Sequence, residues 1–246
     1  MTELRQTYRD GIVGILDAII AGQSPALDAA RDAVVQALKT DHLIHVAGSG
    51  HSHLLAEEVF YRAGGIAAAQ AILDEDLMLH KGAERSTLLE RETGQAARVL
   101  GRHRISPGDV VFIASNSGRN AYPIELALLA RAAGAVTIAI TSLTHAKQVK
   151  ARHPSGKRLF ELTDIVLDNG GAYGDGSLDI EGLPVRMGPT STIIGVYLLN
   201  TIMAEAVAGL MAQGIAVDVY QSANTDQGGG SQAALVARWR HRVAGL

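Results

Sequence analysis

Two short hydroxyl-rich loops carry the residues best suited to chemistry, Gly48-Ser49-Gly50-His51-Ser52 and Ser115-Asn116-Ser117-Gly118-Arg119-Asn120. Each follows an apolar run with strand character and precedes a stretch with helical character. Serine hydroxyls and asparagine amides are neutral donors. Small residues let the backbone approach a ligand, and the free N–H groups and positive dipole end of a helix's first turn attract an anion. Together the loops form a grip for one phosphate monoester. A further helix start, Gly188-Pro189-Thr190-Ser191-Thr192, adds anion-facing donors in Thr190 and Ser191. Arg119 is the only fixed positive charge in the two loops, which suits a monoester better than a triphosphate. The plain alternative is a pair of ordinary turns whose serines cap helices.

Two nucleotide motifs come close without matching. Gly48-Ser49-Gly50 opens like a dinucleotide fingerprint, and Asp74 or Glu75 lies about 20 residues or more onward, as a ribose-binding acid would. His53, however, stands where the third glycine must be. A Walker loop fails because neither loop has the Gly-Lys-Ser/Thr that grips terminal phosphates and magnesium.

Proton-transfer groups lie nearby. Glu57 and Glu58 sit on the helix after the first loop, where Leu54, Leu55, Val59 and Ala63 form the apolar face, so at least one points away from it. They read either as a solvated helix face or as a general base raised toward a useful pKa by burial. His51 is the histidine best placed to touch a substrate, and His45 is expected to be buried. With His53 they form no metal pattern, because no paired carboxylates accompany them; no metal and no other cofactor is expected. His80 and His145 are positioned to reach the C-terminal edge of a sheet, though either alone reads as a surface histidine.

The elements that must position these residues alternate. Helices are expected at 3–21 and 25–39, separated by Ser24-Pro25, then a strand at 43–47 and a helix from His53 to Ala63 stopped by Gly64-Gly65. An apolar run at 66–73 and a charged helical stretch at 81–102 follow. Strands at 110–114 and 135–140 flank a helix at 123–133, and 165–167 is a short strand candidate. This rhythm implies parallel pairing with right-handed crossovers. The glycine-rich segment 168–188 is expected to be a loop or lid. A long helix runs from 189 to 213, read as a buried helix rather than a membrane span. The tail 228–246 is expected to begin as flexible glycines and finish as a helix carrying Trp239.

Composition bounds the rest. The 246 residues are 47% hydrophobic, 19% charged and 4% aromatic, the balance of a compact α/β protein. Lysine plus arginine total 22 against 25 acidic residues, a net charge of -3, so no basic surplus exists to neutralise a nucleic-acid backbone. No cysteine is present, which excludes disulfides, thiolate metal sites and a cysteine nucleophile. The N-terminal residues lack the form of a signal peptide. The expectation is a cytoplasmic protein with no nucleic-acid or membrane partner.

On the two loops quoted first, the chain resembles the sugar isomerase (SIS) domain family over roughly residues 25 to 215, and within it the phosphoheptose isomerase-like group. N-acetylmuramic acid 6-phosphate etherases are more distant relatives. The resemblance implies a three-layer α/β sandwich with a five-stranded parallel sheet flanked by helices, of flavodoxin-like topology. It divides the chain into N-terminal helices (1–40) packing on the core or a partner subunit, a phosphosugar-binding domain (41–220) and a tail (221–246). It implies a phosphorylated sugar as ligand, with Ser52, Ser115 and Ser117 as the phosphate-binding serines and Asn120 where the family has threonine or serine. Glu58, in Ala56-Glu57-Glu58-Val59, resembles the helix carboxylate that serves phosphoheptose isomerases as base, with Glu57 the second choice. Their C-terminal histidine has no counterpart in 189–213.

The expected activity is therefore aldose-ketose isomerisation of a sugar phosphate through an enediolate, with His51 polarising the carbonyl. Alternatives are a non-catalytic phosphosugar-binding regulator, a lyase splitting a lactyl ether with Asp168 or Glu181 as second carboxylate, and a purely structural subunit. The family's habit of building sites at subunit interfaces implies a homodimer or homotetramer, with helices 3–21 and 189–213 available for contact.

Overall fold

The computed structural model describes residues 2–225 and 228–246. Two helices open the chain, α1 (Thr2–Gly22) and α2 (Ser24–Lys39), bent by 79° where Gln23 and the Ser24-Pro25 pair interrupt them. Strand β1 (Ile44–Gly48) follows, then a 3-10 turn at Gly50–His53 and a short α3 (Leu54–Val59). Strand β2 (Ala69–Ile72) leads to α4 (Ala83–Leu89) and α5 (Gln95–Leu100). Next come β3 (Val110–Ala114), α6 (Ala121–Ala132), β4 (Val136–Thr141), the single turn α7 (Leu143–Ala146) and β5 (Ile165–Asp168). A small hairpin of β6 (Gly176–Leu178) and β7 (Met187–Pro189) precedes α8 (Ser191–Ala212), and α9 (Gly228–Trp239) lies near the C-terminus.

The five long-range strands form one parallel sheet in the order β2-β1-β3-β4-β5. Its pleat sorts the core into two layers. Ile44, Val46, Val110, Phe112, Ile138 and Ile140 face α2, α3 and α8, while Ala47, Val111, Ile113 and Ala139 face α5 and α6. These strands read as near-continuous apolar runs because both faces are covered, as parallel sheets require. A third, smaller cluster packs Trp239 and Val243 against Leu43, Ala67, Ala68 and Tyr220. The strand order runs outward from β1 in both directions, so a crevice opens at the C-terminal ends of β1 and β3, the usual ligand position in such sheets.

Both sheet edges meet a glutamine side chain. The Gln23 amide donates to the Asp168 carbonyl at 2.7 Å and accepts from the Asp168 N–H at 2.9 Å, beside β5. Gln70, on β2, accepts from the Ala244 N–H at 2.6 Å.

Several expectations are corrected. The helix expected at 53–63 is confined to 54–59, because the loop spends its first turn in 3-10 geometry and Phe60 is already extended. The 81–102 stretch is two helices, divided where Gly94 takes a left-handed φ of +88° and caps α5. The glycine-rich segment is not wholly a loop: residues 176–178 and 187–189 pair as an antiparallel hairpin. The tail is helical over Gly228–Trp239 rather than starting as free glycines. Helix α8 is long and apolar enough by composition to cross a membrane, and it packs along α2 and α3.

Candidate functional site

The pairing of β1 with β3 sets Gly48 opposite Ala114, so the two loops leave the sheet side by side. Glycine is obligatory at 48: a Cβ there would lie 2.5 Å from the carbonyl carbon and oxygen of Ser52. The close approach folds the first loop back, and the Ser52 N–H donates to the Ser49 carbonyl at 3.0 Å. Gly118 turns the second loop with φ +57°, and its N–H donates to Ser115 Oγ at 3.2 Å.

Ser52, Ser115, Asn116 and Ser191 converge, with Asn169 and Thr192, on a cavity of about 10 Å³ whose apolar wall is Leu55, Ala114 and Ile140. That volume admits about one water molecule. The cradle is tight because its parts already grip each other. Asn116 Oδ1 accepts from the Asn169 amide at 3.0 Å, and the Asn116 carbonyl accepts from the Ser142 N–H at 3.1 Å.

The N-terminus of α8 is the anion-facing end of a 22-residue helix, and it already holds an anion. One oxygen of Asp175 accepts from the N–H groups of Thr190 (3.2 Å) and Ser191 (3.0 Å), and the other accepts from Ser191 Oγ at 2.6 Å. Asp175 reaches this position from the glycine-rich segment with φ +71°, a left-handed conformation that non-glycine residues seldom adopt. The Thr190 hydroxyl beside it is buried, 1% exposed, and has no hydrogen-bond partner among the described residues. Ser191, expected to hold a ligand, is thus engaged by Asp175, while Thr190 keeps an unused donor.

Ser49 and Asn120 have a different partner from the one expected. Both are tied to Glu90, whose carboxylate accepts from Ser49 Oγ at 2.8 Å and from Asn120 Nδ2 at 2.6 Å. Asn120 Oδ1 in turn accepts from Arg152 Nη1 at 2.9 Å. Burial pushes the Glu90 carboxyl above the usual carboxylate range, against the hydrogen bond from Ser49 and the charges of Arg91 and Arg152. Arg119, half-buried, donates through Nε to the Lys150 carbonyl at 3.0 Å. Gly50 takes φ +58° at the head of the 3-10 turn. Ser117 and Gly118 lie outside the small cavity.

The expected catalytic residues are spread over the 3-10 turn and α3. His51 is exposed. Glu57 is exposed and lies 3.5 Å from His53 Nε2, while His53 also contacts the Gly50 carbonyl. Glu58 is half-buried, paired with Arg62 at 3.0 Å and accepting from Asn200 Nδ2 at 2.9 Å. It lines an apolar groove of about 320 Å³ with Gly64, Ile66, Met203 and Val207. Asn200 lies nine residues along α8 from Ser191, a rise of roughly 13 Å, so Glu58 stands well down the helix from the serine cradle.

Other candidates divide as follows. His45 is buried and meets Asp109 at 3.0 Å near the N-terminal end of the sheet. His145 lies at the C-terminal edge, its ring 4.8 Å from that of Tyr173, and burial pushes its pKa down, with Asp175 pulling the other way. Asp168 is consumed by the backbone, accepting from the Leu143 and Gly170 N–H groups. Glu181 sits in the exposed turn of the β6–β7 hairpin. Among the described residues, no group of three or more His, Asp or Glu is arranged to hold a metal ion.

Glu90 and Asp175 are the residues sequence reasoning missed. Asp175 carried one usable signal, a lone acid among glycines shortly before a Thr-Ser-Thr helix start.

A parallel sheet with two serine-rich loops at its switch point matches the SIS domain model over residues 7–142, and the chain belongs to the SIS domain family. It is 41% identical over 236 residues to a UPF0309 protein of Listeria monocytogenes serotype 4b, covering 96% of each chain. It is 40% identical over 243 residues to a UPF0309 protein of Brucella anthropi, covering 98% of each. Among solved structures, a phosphoheptose isomerase from Francisella tularensis superposes with a TM-score of 0.54 at 15% identity, over 83% of this chain and 97% of that one. That likeness bears on the fold.

Proposed function

We propose that the chain is a cytoplasmic, sugar-phosphate-binding protein that interconverts an aldose phosphate and a ketose phosphate through an enediolate. The observation that carries the reading is the convergence of Ser52, Ser115, Asn116 and the α8 N-terminus on one small cavity, beside a buried Thr190 hydroxyl that has no partner among the described residues. Neutral donors at a helix N-terminus are what a phosphate monoester needs. The cavity must widen for a phosphate to enter. Binding at the phosphate then places the reacting carbons, so remote binding energy serves the chemical step.

Isomerisation needs a general base. The resemblance favours Glu58, with Glu57 second and His51 as the polarising group. The groove beside Glu58 supports a role in ligand or subunit contact. The exposed apolar residues Ile193 and Met211 of α8 support packing of a second copy, in a homodimer or homotetramer, with the N-terminal helices of 1–40 alongside.

The test is a panel of phosphosugars and their unphosphorylated counterparts, read by melting temperature and by proton NMR in deuterated water. Stabilisation by the phosphorylated forms alone, with deuterium entering carbon 1 or 2, is the expected result. Binding without exchange would make the protein a non-catalytic phosphosugar-binding regulator. Release of lactate from a lactyl-ether sugar phosphate would make it a lyase.

A further inference from the structure

Resting on the phosphosugar reading, we infer that Glu90 is the general base and that the Arg152 guanidinium stabilises the enediolate, which places the reacting carbons between the first loop and the start of α6. Glu90 is fixed from three sides. Its two carboxylate oxygens take hydrogen bonds from Ser49 and Asn120, and its carbonyl accepts from the Tyr122 N–H at 3.0 Å. Ser49 belongs to the same loop as Ser52, and Asn120 ends the loop that begins with Ser115, so the carboxylate bridges the two phosphate-gripping segments. A base held this way is preorganised beside a phosphate anchored next door.

The charge around Glu90 suits an anionic intermediate. Arg91 and Arg152 both act on it, and Arg119 and Arg91 act on Arg152. None of these three arginines makes a carboxylate ion pair within 4 Å among the described residues. Two guanidinium groups, Arg91 and Arg152, thus act on one carboxylate, with Arg152 joined to it through Asn120, and the positive surplus can meet charge that develops on a substrate oxygen. Burial makes Glu90 a stronger base than an ordinary surface carboxylate. The other candidate acids are committed elsewhere: Glu58 to Arg62 and Asn200, and Asp175 to the α8 N-terminus.

The step balances within the substrate. Glu90 takes the proton from carbon 2 of the aldose, the C–H electron pair becomes the C1–C2 double bond, and the charge moves to the carbonyl oxygen beside Arg152. The hydroxyl proton on oxygen 2 passes to oxygen 1, the carbonyl re-forms at carbon 2, and Glu90 returns its proton to carbon 1. Nothing is oxidised overall, and the base ends as it began.

The experiment compares wild type with Glu90→Gln, Glu58→Gln and Arg152→Gln, reading solvent deuterium exchange on the phosphosugar panel and ligand-induced melting shifts. Glu90→Gln is expected to lose at least about 100-fold in exchange while keeping the melting shift, and Glu58→Gln to keep exchange within a few-fold. The wild-type rate is expected to rise with pH through a limb above the usual carboxylate range, about 4.3, and Arg152→Gln to move that limb higher by removing a cation. Exchange retained in Glu90→Gln, or lost in Glu58→Gln alone, overturns the assignment. If Glu90→Gln does not melt cooperatively, the wild-type limb and its response to Arg152→Gln decide: a limb in the ordinary range, or one that does not move, also overturns it. Wild-type binding without exchange overturns the base but leaves the phosphate grip intact. No stabilisation by any phosphosugar overturns the grip itself.

Discussion

Ser115 and Ser49 begin neighbouring loops and have opposite fates, one lining the cradle and the other spent on Glu90. Ser115→Ala is therefore expected to weaken phosphosugar binding by roughly tenfold, the worth of a hydrogen bond to a charged group, and to lower the melting temperature of the free protein slightly, because the Gly118 N–H loses its acceptor. Glu90 makes a pH-dependent prediction. Its carboxyl holds a proton more tightly in the folded chain, so its contribution to stability is complete below the unfolded value, about 4.3, and is lost as pH rises through the higher folded value. Glu90→Gln should accordingly raise the melting temperature of the free protein at pH 8 and change it little near pH 4. A variant less stable than wild type at pH 8 would contradict this. The serines were legible because small hydroxyl residues after a strand carry a local signal. Glu90 was not, because its burial is made by Ser49 and Asn120, 41 and 30 residues away in the chain.

Among the elements, α8 depends on a cap borrowed from a distant segment. Asp175 supplies the acceptor that a residue at the helix start would usually provide. Asp175→Ala is expected to cost about 1 kcal/mol of stability, since both the cap and the dipole partner are lost, measurable by urea denaturation. Asp74 ties the end of β2 to α5 through a two-pronged contact with Arg98, at 2.8 Å on each oxygen. Burial is the largest single influence and opposes its ionisation, but the hydrogen bonds and charge of Arg98, the Asp76 N–H and the charge of Arg102 together outweigh burial and hold its pKa below the usual range. A depressed carboxylate stabilises above its unfolded value, about 3.9, and loses that contribution as pH falls through the folded value. Asp74→Asn should flatten the stability lost below about pH 4. The strands of the main sheet were readable to within a residue or so, except β2, whose apolar run is longer than the strand. Buried parallel strands are unbroken apolar runs. The β6–β7 hairpin was not readable, because its glycines signal only turns, while pairing depends on contacts such as Ser177 Oγ donating to the Gly188 carbonyl at 2.7 Å.

For the whole molecule, the distribution of apolar surface matters most. Ile193 and Met211 of α8 are 43% and 55% exposed, and Ile20 of α1 is 55% exposed. Sedimentation is expected to show an oligomer, and Ile193→Glu combined with Met211→Glu to shift it toward monomer; a native monomer at micromolar concentration would contradict this. How such copies can meet is constrained by the glutamines at the sheet margins. An outer strand offers its unpaired peptide groups as a template for another chain. Gln23 answers the Asp168 peptide with an amide that copies a neighbouring strand's donor and acceptor, and Gln70 fastens the chain's own C-terminal segment across the opposite margin. A second copy therefore finds its templates taken at these points, so association is steered onto helix faces and away from the strand-to-strand stacking that leads to fibres.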